Sequence, residues 1–355
     1  MKFEQKKWTK ASGWVDVSAQ PLKDKVQLVL AFGGSTVISD PKHFEQLKAW
    51  YPVAHIVTCS TAGEILQNEV LDDSLVVTAV HFENTPIQAA QMKISDAKDS
   101  EAVGKKLGTL IQKDKLANVM VFSEGLIING TDLVAGLLSQ LPKKVSVTGG
   151  LVGDGADFKT TVVGLDGVHA SGTVVVIGFY GDALRVGYGS MGGWDPFGPD
   201  RIITKSEGNV LYELDGKPAL DLYKEYLADK AAGLPGTGLL FPLNVMMPNQ
   251  ANGDRRVVRT LLAVDETAKS MTFAGDMPQG AHAQLMKANF DRLIDGAGGA
   301  ASMSIVSLGT EEPDLAILIS CIGRKLILKS RVDEEVDAVR EKIGRGAAVI
   351  GFYSY

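Results

Sequence analysis

Three times along the chain, a short apolar run, a helical pattern and a second short apolar run follow one another. The first set is VQLVLAFGG (26–34), PKHFEQLKAWY (41–51) and HIVTC (55–59). The second is NVMVFSEG (118–125), TDLVAGLLSQLP (131–142) and VSVTGG (145–150), and the third is DLAILISCIG (314–323), DEEVDAVREKIG (333–344) and AAVIGFY (347–353). Apolar runs of this length read as buried strands, and apolar residues at helical spacing, such as Phe44, Leu47 and Trp50, read as helices with one buried stripe. The crossover of such a strand–helix–strand unit should be right-handed if its two strands are parallel. Each set closes on small or hydroxyl residues (CSTAGE, TGGLVGDG, YSY), so the three units should bring those strand ends together around a shared cavity.

Between the units lie further strand-like runs: VVTAVHF with IQAAQMKI, then TTVVGL, TVVVIGFYG and LRVGYGSMGG, and later VVRTLLAV and SMTFAG around the turn-forming DETAK. These suit antiparallel neighbours, so the fold class expected is α/β of the mixed α+β kind, with helices packed on mixed sheets. Helices are expected over ALDLYKEYLAD (219–229) and over AHAQLMKANFDRLIDGA (281–297), which His282 opens. The Gly- and Pro-rich GGWDPFGPD (192–200) should break regular structure and divide the chain into intimately packed halves, 10–194 and 195–355; MMPNQANGDRR (246–256) reads as a polar loop.

The charges exclude some function classes. Lys and Arg number 36 and Asp and Glu 42, a net charge of -6 without any basic block, so neither nucleic acid nor an anionic membrane is an expected partner. Two cysteines, Cys59 and Cys321, cannot form a disulfide framework, and their scarcity fits a reducing compartment. The polar N-terminus lacks the apolar core of a signal peptide, and the expected location is cytoplasmic.

Chemistry-bearing motifs are few. GYGSMGG (187–193) satisfies the spacing of a dinucleotide loop, but no helix follows to hold a pyrophosphate. The glycines of GGLVGDG (149–155) permit close backbone approach, either of a strand or of a ligand. Cys59 has no neighbouring base in sequence, so a Cys59-dependent enzyme is a minor alternative and no catalytic residue is expected. A binding wall fits CSTAGE better: Ser60 and Thr61 offer hydroxyls and Glu64 a carboxylate for an ammonium. Gly150, Asp154 and Arg292 complete the candidate ligand site, although ion pairing of Arg292 with Asp295 is the default. In NGTDLVAGLL (129–138), Asn129 or Thr131 caps a helix, and the helix N-terminus is also able to hold an anion. The histidines show no metal-ligand spacing, but a single axial haem ligand leaves none, and His282 is the candidate for it.

Taken together, CSTAGEI, FSEG with NGTDLVAGL, GGLVGDGADF, GWDPFGPDRIITKSEGNVLYELDGKPALDLYKEYL, FAGDMPQGA, NFDRLIDGA, SCIGRKLIL and GFYSY resemble the FIST family, an N-terminal FIST domain followed by a FIST C-terminal domain. The resemblance implies a sensory module of bacterial signal transduction that binds a small, amino-acid-like ligand. It also implies, as an alternative, a haem-containing nitric-oxide sensor that regulates a histidine kinase. The chain carries no kinase, methyl-accepting or cyclase pattern, so signalling would need a separate partner. Two departures stand out. Glu124 occupies the place of the family's usual aspartate, and the sequence stops at Tyr355 where family members continue into a tail.

Overall fold

The computed structural model describes every residue except 19, 20, 23, 24, 168, 248–254, 310 and 311. Its first half holds β1 (Lys2–Thr9), β2 (Gly13–Asp16), β3 (Leu28–Gly34), β4 (His55–Thr61), β5 (Glu64–Leu66), β6 (Glu69–Leu71) and β7 (Ser74–His81), followed by β8 (Ile87–Lys93), β9 (Leu116–Ser123), β10 (Ser146–Leu151), β11 (Val163–Leu165) and β12 (Thr173–Tyr180). Helices α1 (Ser35–Ile38), α2 (Pro41–Trp50), α3 (Ser100–Leu110) and α4 (Gly130–Leu138) lie among them. The second half adds β13 (Trp194–Pro196), β14 (Arg201–Glu207), β15 (Val210–Leu214), β16 (Lys217–Pro218), β17 (Leu243–Met247), β18 (Arg255–Arg259), β19 (Leu261–Asp265), β20 (Ser270–Phe273) and β21 (His282–Ala288). The chain closes with β22 (Leu315–Cys321) and β23 (Ala348–Ser354); the helices of this half are α5 (Ala219–Leu227), α6 (Phe290–Leu308), α7 (Ile322–Leu328) and α8 (Val332–Ile343).

All three expected units form parallel pairs: β3 with β4, β9 with β10, and β22 with β23. The intervening strands add antiparallel neighbours, so the fold is mixed α+β. One sheet runs β11-β4-β3-β7-β1-β2 and a second β10-β9-β12-β8; a third is built largely from the second half as β18-β17-β21-β14-β15-β20-β19, with β13 on β21 and β16 on β15. The fourth sheet, β22-β23-β5-β6, takes two strands from each half.

Several local expectations fail for identifiable reasons. The runs 76–82 and 87–94 do not pair with each other, because β7 joins the first sheet and β8 the second. Residues 184–193 form no strand: the chain lies against α6, and a Cβ on Gly193 would come within 2.6 Å of Leu293 Cα. His282 opens β21, not a helix. The run HAQLMKA alternates, with His282 exposed and Ala283 and Leu285 buried, and the helix begins only after Asn289, whose side chain accepts from Arg292 N. GGWDPFGPD is not wholly irregular, since Trp194–Pro196 pairs antiparallel with β21. Of the loop over 246–256, residues 248–254 lie outside the described residues.

The main core sits where the first, second and fourth sheets face one another. Leu28, Leu30, Phe32, Val57 and Cys59 meet Phe122, Val175 and Ile177 there, together with Ile350 and Phe352 of β23. The Phe352 ring lies 4.8 Å from Phe32 and 6.2 Å from Phe122, centroid to centroid. A strand of the second half therefore fills the core of the first. Phe352→Ala should cost about 3–5 kcal/mol, the usual loss for a buried phenylalanine. Urea unfolding followed by far-UV circular dichroism should show one transition moved to lower denaturant. Two separated transitions, with the first half unaffected, would contradict this packing.

Candidate functional site

The small-residue strand ends do converge. Ala62 N donates to Tyr353 O at 2.9 Å and Tyr353 N to Gly63 O at 2.8 Å. Gly155 N donates to Thr61 O at 3.1 Å, and Asp154 N to the Tyr355 hydroxyl at 3.2 Å. The meeting point is packed with side chains where a shared cavity was expected. Tyr355 stacks on Phe158 with centroids 4.4 Å apart, and Gly153 is so close to Ala62 that a Cβ would lie 3.1 Å from the alanine's own. Two open grooves, of about 570 and 450 Å³, lie at the opposite pole near the start of β4; they share Pro86 and Ile87, and His55 and His81 line the second.

The candidate residues sit in different surroundings. Cys59 is fully buried in the core, and burial pushes its thiol well above the ordinary range, the opposite of what a nucleophile needs. Ser60 Oγ accepts from Val162 N at 2.9 Å. Thr61 donates to Glu64, which also accepts from Ser74 N at 3.1 Å and Ser74 Oγ at 2.6 Å. Gly150 is set against Ile319, where a Cβ would approach Cγ2 to 2.9 Å. The Asp154 carboxylate accepts from the backbone amides of Phe158, Lys159 and Thr160 at 2.7–2.9 Å. Glu124 does the same for Leu126, Ile127 and Ile128 at 2.6–3.0 Å. Arg292 stands apart from this group: its exposed guanidinium pairs with Asp195 at 2.6 Å, not with Asp295. His282 is an exposed imidazole at the start of β21, and it lines neither groove.

Around Glu64 the structure assembles partners that the sequence did not announce. Lys325 of α7 pairs with Asp72, donates to Ala62 O at 3.1 Å, and sits 5.4 Å from the Tyr353 ring centre. Gly63, at φ +130, leaves the space that this ammonium fills. Behind Tyr353, Glu335 accepts from Arg324 Nε at 2.7 Å, from Ser320 Oγ at 2.5 Å and from the Tyr353 hydroxyl at 3.3 Å. The one sequence signal was the glycine after Thr61-Ala62, which marks close approach without naming what approaches.

A profile of the FIST N domain matches residues 27–217, and one of the FIST C domain matches residues 219–355. The chain belongs to the FIST family. FIST domains are sensory domains of signal transduction. A curated relative, an uncharacterized protein of Methanocaldococcus jannaschii, is 26% identical over 198 residues, 52% of this chain; the match spans only 38% of that relative's length. Among solved structures, a chorismatase is similar over 99% of this chain and 94% of its own, with 10% identity and a TM-score of 0.36, too slight a likeness to carry an argument. No helix among the described residues is long and apolar enough to cross a membrane.

In FIST terms, Glu64 belongs to FIST N and Lys325 to FIST C, so the buried carboxyl and its nearest cation lie on opposite sides of the domain seam. Burial pushes Glu64 up from its ordinary 4.5 to about 7, against the Ser74 and Thr61 hydrogen bonds and the Lys325 charge, which pull it down. A second junction joins two motifs. Asn129 is the N-cap of α4, its Oδ1 accepting from Thr131 N and Asp132 N, while its amide donates to Asp276 Oδ1 at 2.6 Å. Arg259 Nε donates to Asp276 O at 3.0 Å, and Asp276 N donates to Thr131 Oγ1 at 3.2 Å.

Two expectations follow from these environments. A carboxyl raised on folding binds more protons folded than unfolded, so its contribution is full below pH 4.5 and is lost as pH rises through about 7. Urea midpoints measured across that window should fall with rising pH in the native protein and fall less in Glu64→Gln; equal slopes would refute the assignment. Lys325→Ala, removing the charge that lowers Glu64, should shift the window to higher pH. Separately, iodoacetamide at neutral pH should label Cys59 only as fast as the protein unfolds, as mass spectrometry of the native and urea-treated protein would reveal.

Proposed function

We propose that this FIST protein is a sensory binding module, not an enzyme, that takes up a small amino-acid-like ligand and reports to a separate partner such as a histidine kinase. The observation that carries this reading is the domain seam itself, where Glu64 of FIST N and Lys325 of FIST C meet beside the β5–β23 pairing. A ligand shifts an equilibrium only by its differential affinity for two states. A seam that holds a buried carboxyl, a lysine with an alternative partner in Asp72, and a tyrosine ring offers such states, because small changes in relative packing exchange one ion pair for another. The partner then reads the relative placement of FIST N and FIST C.

Thermal denaturation of the full chain with each of the twenty free amino acids tests this reading. At least one should raise the melting temperature with increasing concentration, since ligand at about 100 times its Kd adds about 2.7 kcal/mol. A flat response to all twenty at millimolar concentration would overturn it.

A further inference from the structure

We propose that the junction where Thr131 and Asp132 of FIST N meet Arg259 and Asp276 of FIST C is the site for the charged end of a free amino acid, with Arg259 holding the α-carboxylate and Asp132 the α-ammonium. This rests on the reading of the protein as a sensor for an amino-acid-like ligand; it adds which residues bind.

Arg259 lies on β18 of FIST C. Its guanidinium is partly buried, and among the described residues no carboxylate lies within ion-pair distance of it. Nε is taken by Asp276 O at 3.0 Å, while the NH2 group has only long contacts, to Thr131 Oγ1 at 3.4 Å and Met247 Sδ at 3.8 Å. Removal from water works against the charged guanidinium, which the Asp276 charge only partly offsets. An arriving carboxylate would supply the bidentate partner that the fork geometry favours. Gly275 lets the guanidinium lie against the backbone, because a Cβ there would lie 3.1 Å from its carbon and 2.8 Å from Thr131 Oγ1.

The complementary charge is one residue further along α4. Among the described residues, the Asp132 carboxylate accepts no hydrogen bond. Burial raises it, and the charges of Asp276 and Glu101 raise it further. Glu101 itself pairs with Lys105 at 2.6 Å, and Asp276 holds Asn129 through one oxygen. An ammonium beside Asp132 would relieve this repulsion. One unpaired guanidinium and one unpaired carboxylate, each partly open to solvent and beyond ion-pair distance of the other, match a zwitterion better than a simple anion or cation. The site spans the two domains, so occupancy would bias their relative placement.

Calorimetry on the full chain tests this, using the best-stabilising free amino acid, its carboxamide and its N-acetyl derivative. The free amino acid should bind about tenfold or more tightly than either derivative, as expected when a charge-assisted pair is lost. In Arg259→Gln the preference for acid over amide should vanish, and in Asp132→Asn the preference for free over acetylated amine should vanish. Should Arg259→Gln fail to fold, Arg259→Lys serves instead: it keeps the charge but not the fork, and should weaken the acid selectively. Binding of the amino acid with both preferences intact in these variants would overturn this site and leave the sensory reading standing. No binding by any free amino acid to the native chain would overturn both.

Discussion

The antiparallel pairing of β23 with β5, which sets Phe352 opposite Glu64, is the contact on which the rest of the architecture depends. It gives the fourth sheet strands from both domains and places Phe352 between Phe32 and Phe122, so the main core is shared between the domains, while a second core around Leu107, Val119 and Leu137 belongs to FIST N alone. It also holds Tyr353 beside Lys325 and carries the chain to Tyr355, whose hydroxyl takes the amides of Asp154 and Phe158. A sheet shared between domains resists sliding but tolerates small rotations at its ends, and the ionisable side chains of the seam sit at those ends.

Three carboxylates near the converging strand ends show how similar residues serve different ends. Glu124 and Asp154 each gather three backbone amides and thereby fix the loops after β9 and β10. Glu64 has a hydroxyl–amide pair from Ser74 and one hydroxyl from Thr61, with its cation held partly away by Asp72. Backbone amides are rigid donors, whereas hydroxyls and a lysine can turn elsewhere. The first two carboxylates are therefore fixtures of the fold, and the third is the one whose environment can change.

Much of the architecture was legible because its signal is strong. The three strand–helix–strand units announced themselves through short continuous apolar runs separated by helical patterns, although the antiparallel β7 and β12 are just as apolar and buried. What stayed hidden was carried by polar residues. β1 reads as a charged, surface-like stretch, yet Glu4, Gln5 and Lys6 are buried: Lys6 pairs with Glu4 at 2.7 Å, and the Gln5 amide reaches Thr78 Oγ1 at 2.9 Å and Val349 O at 3.0 Å. The run at His282 fits either period over so few residues, and only the cap at Asn289 decides. At the candidate wall, the convergence of the strand ends was correct and the cavity was not, since a sequence cannot reveal whether a hydroxyl faces a ligand or a neighbouring amide. Arg259 had no motif at all; its interest comes from what does not lie beside it.

The order of the strands in the chain has a consequence for biosynthesis. β5 leaves the ribosome long before β23, so the edge that β23 covers stays open while the segment between them is still being made. Until β23 is made, the apolar faces of Phe32 and Phe122 that Phe352 covers stay open to chaperones or to a neighbouring nascent chain.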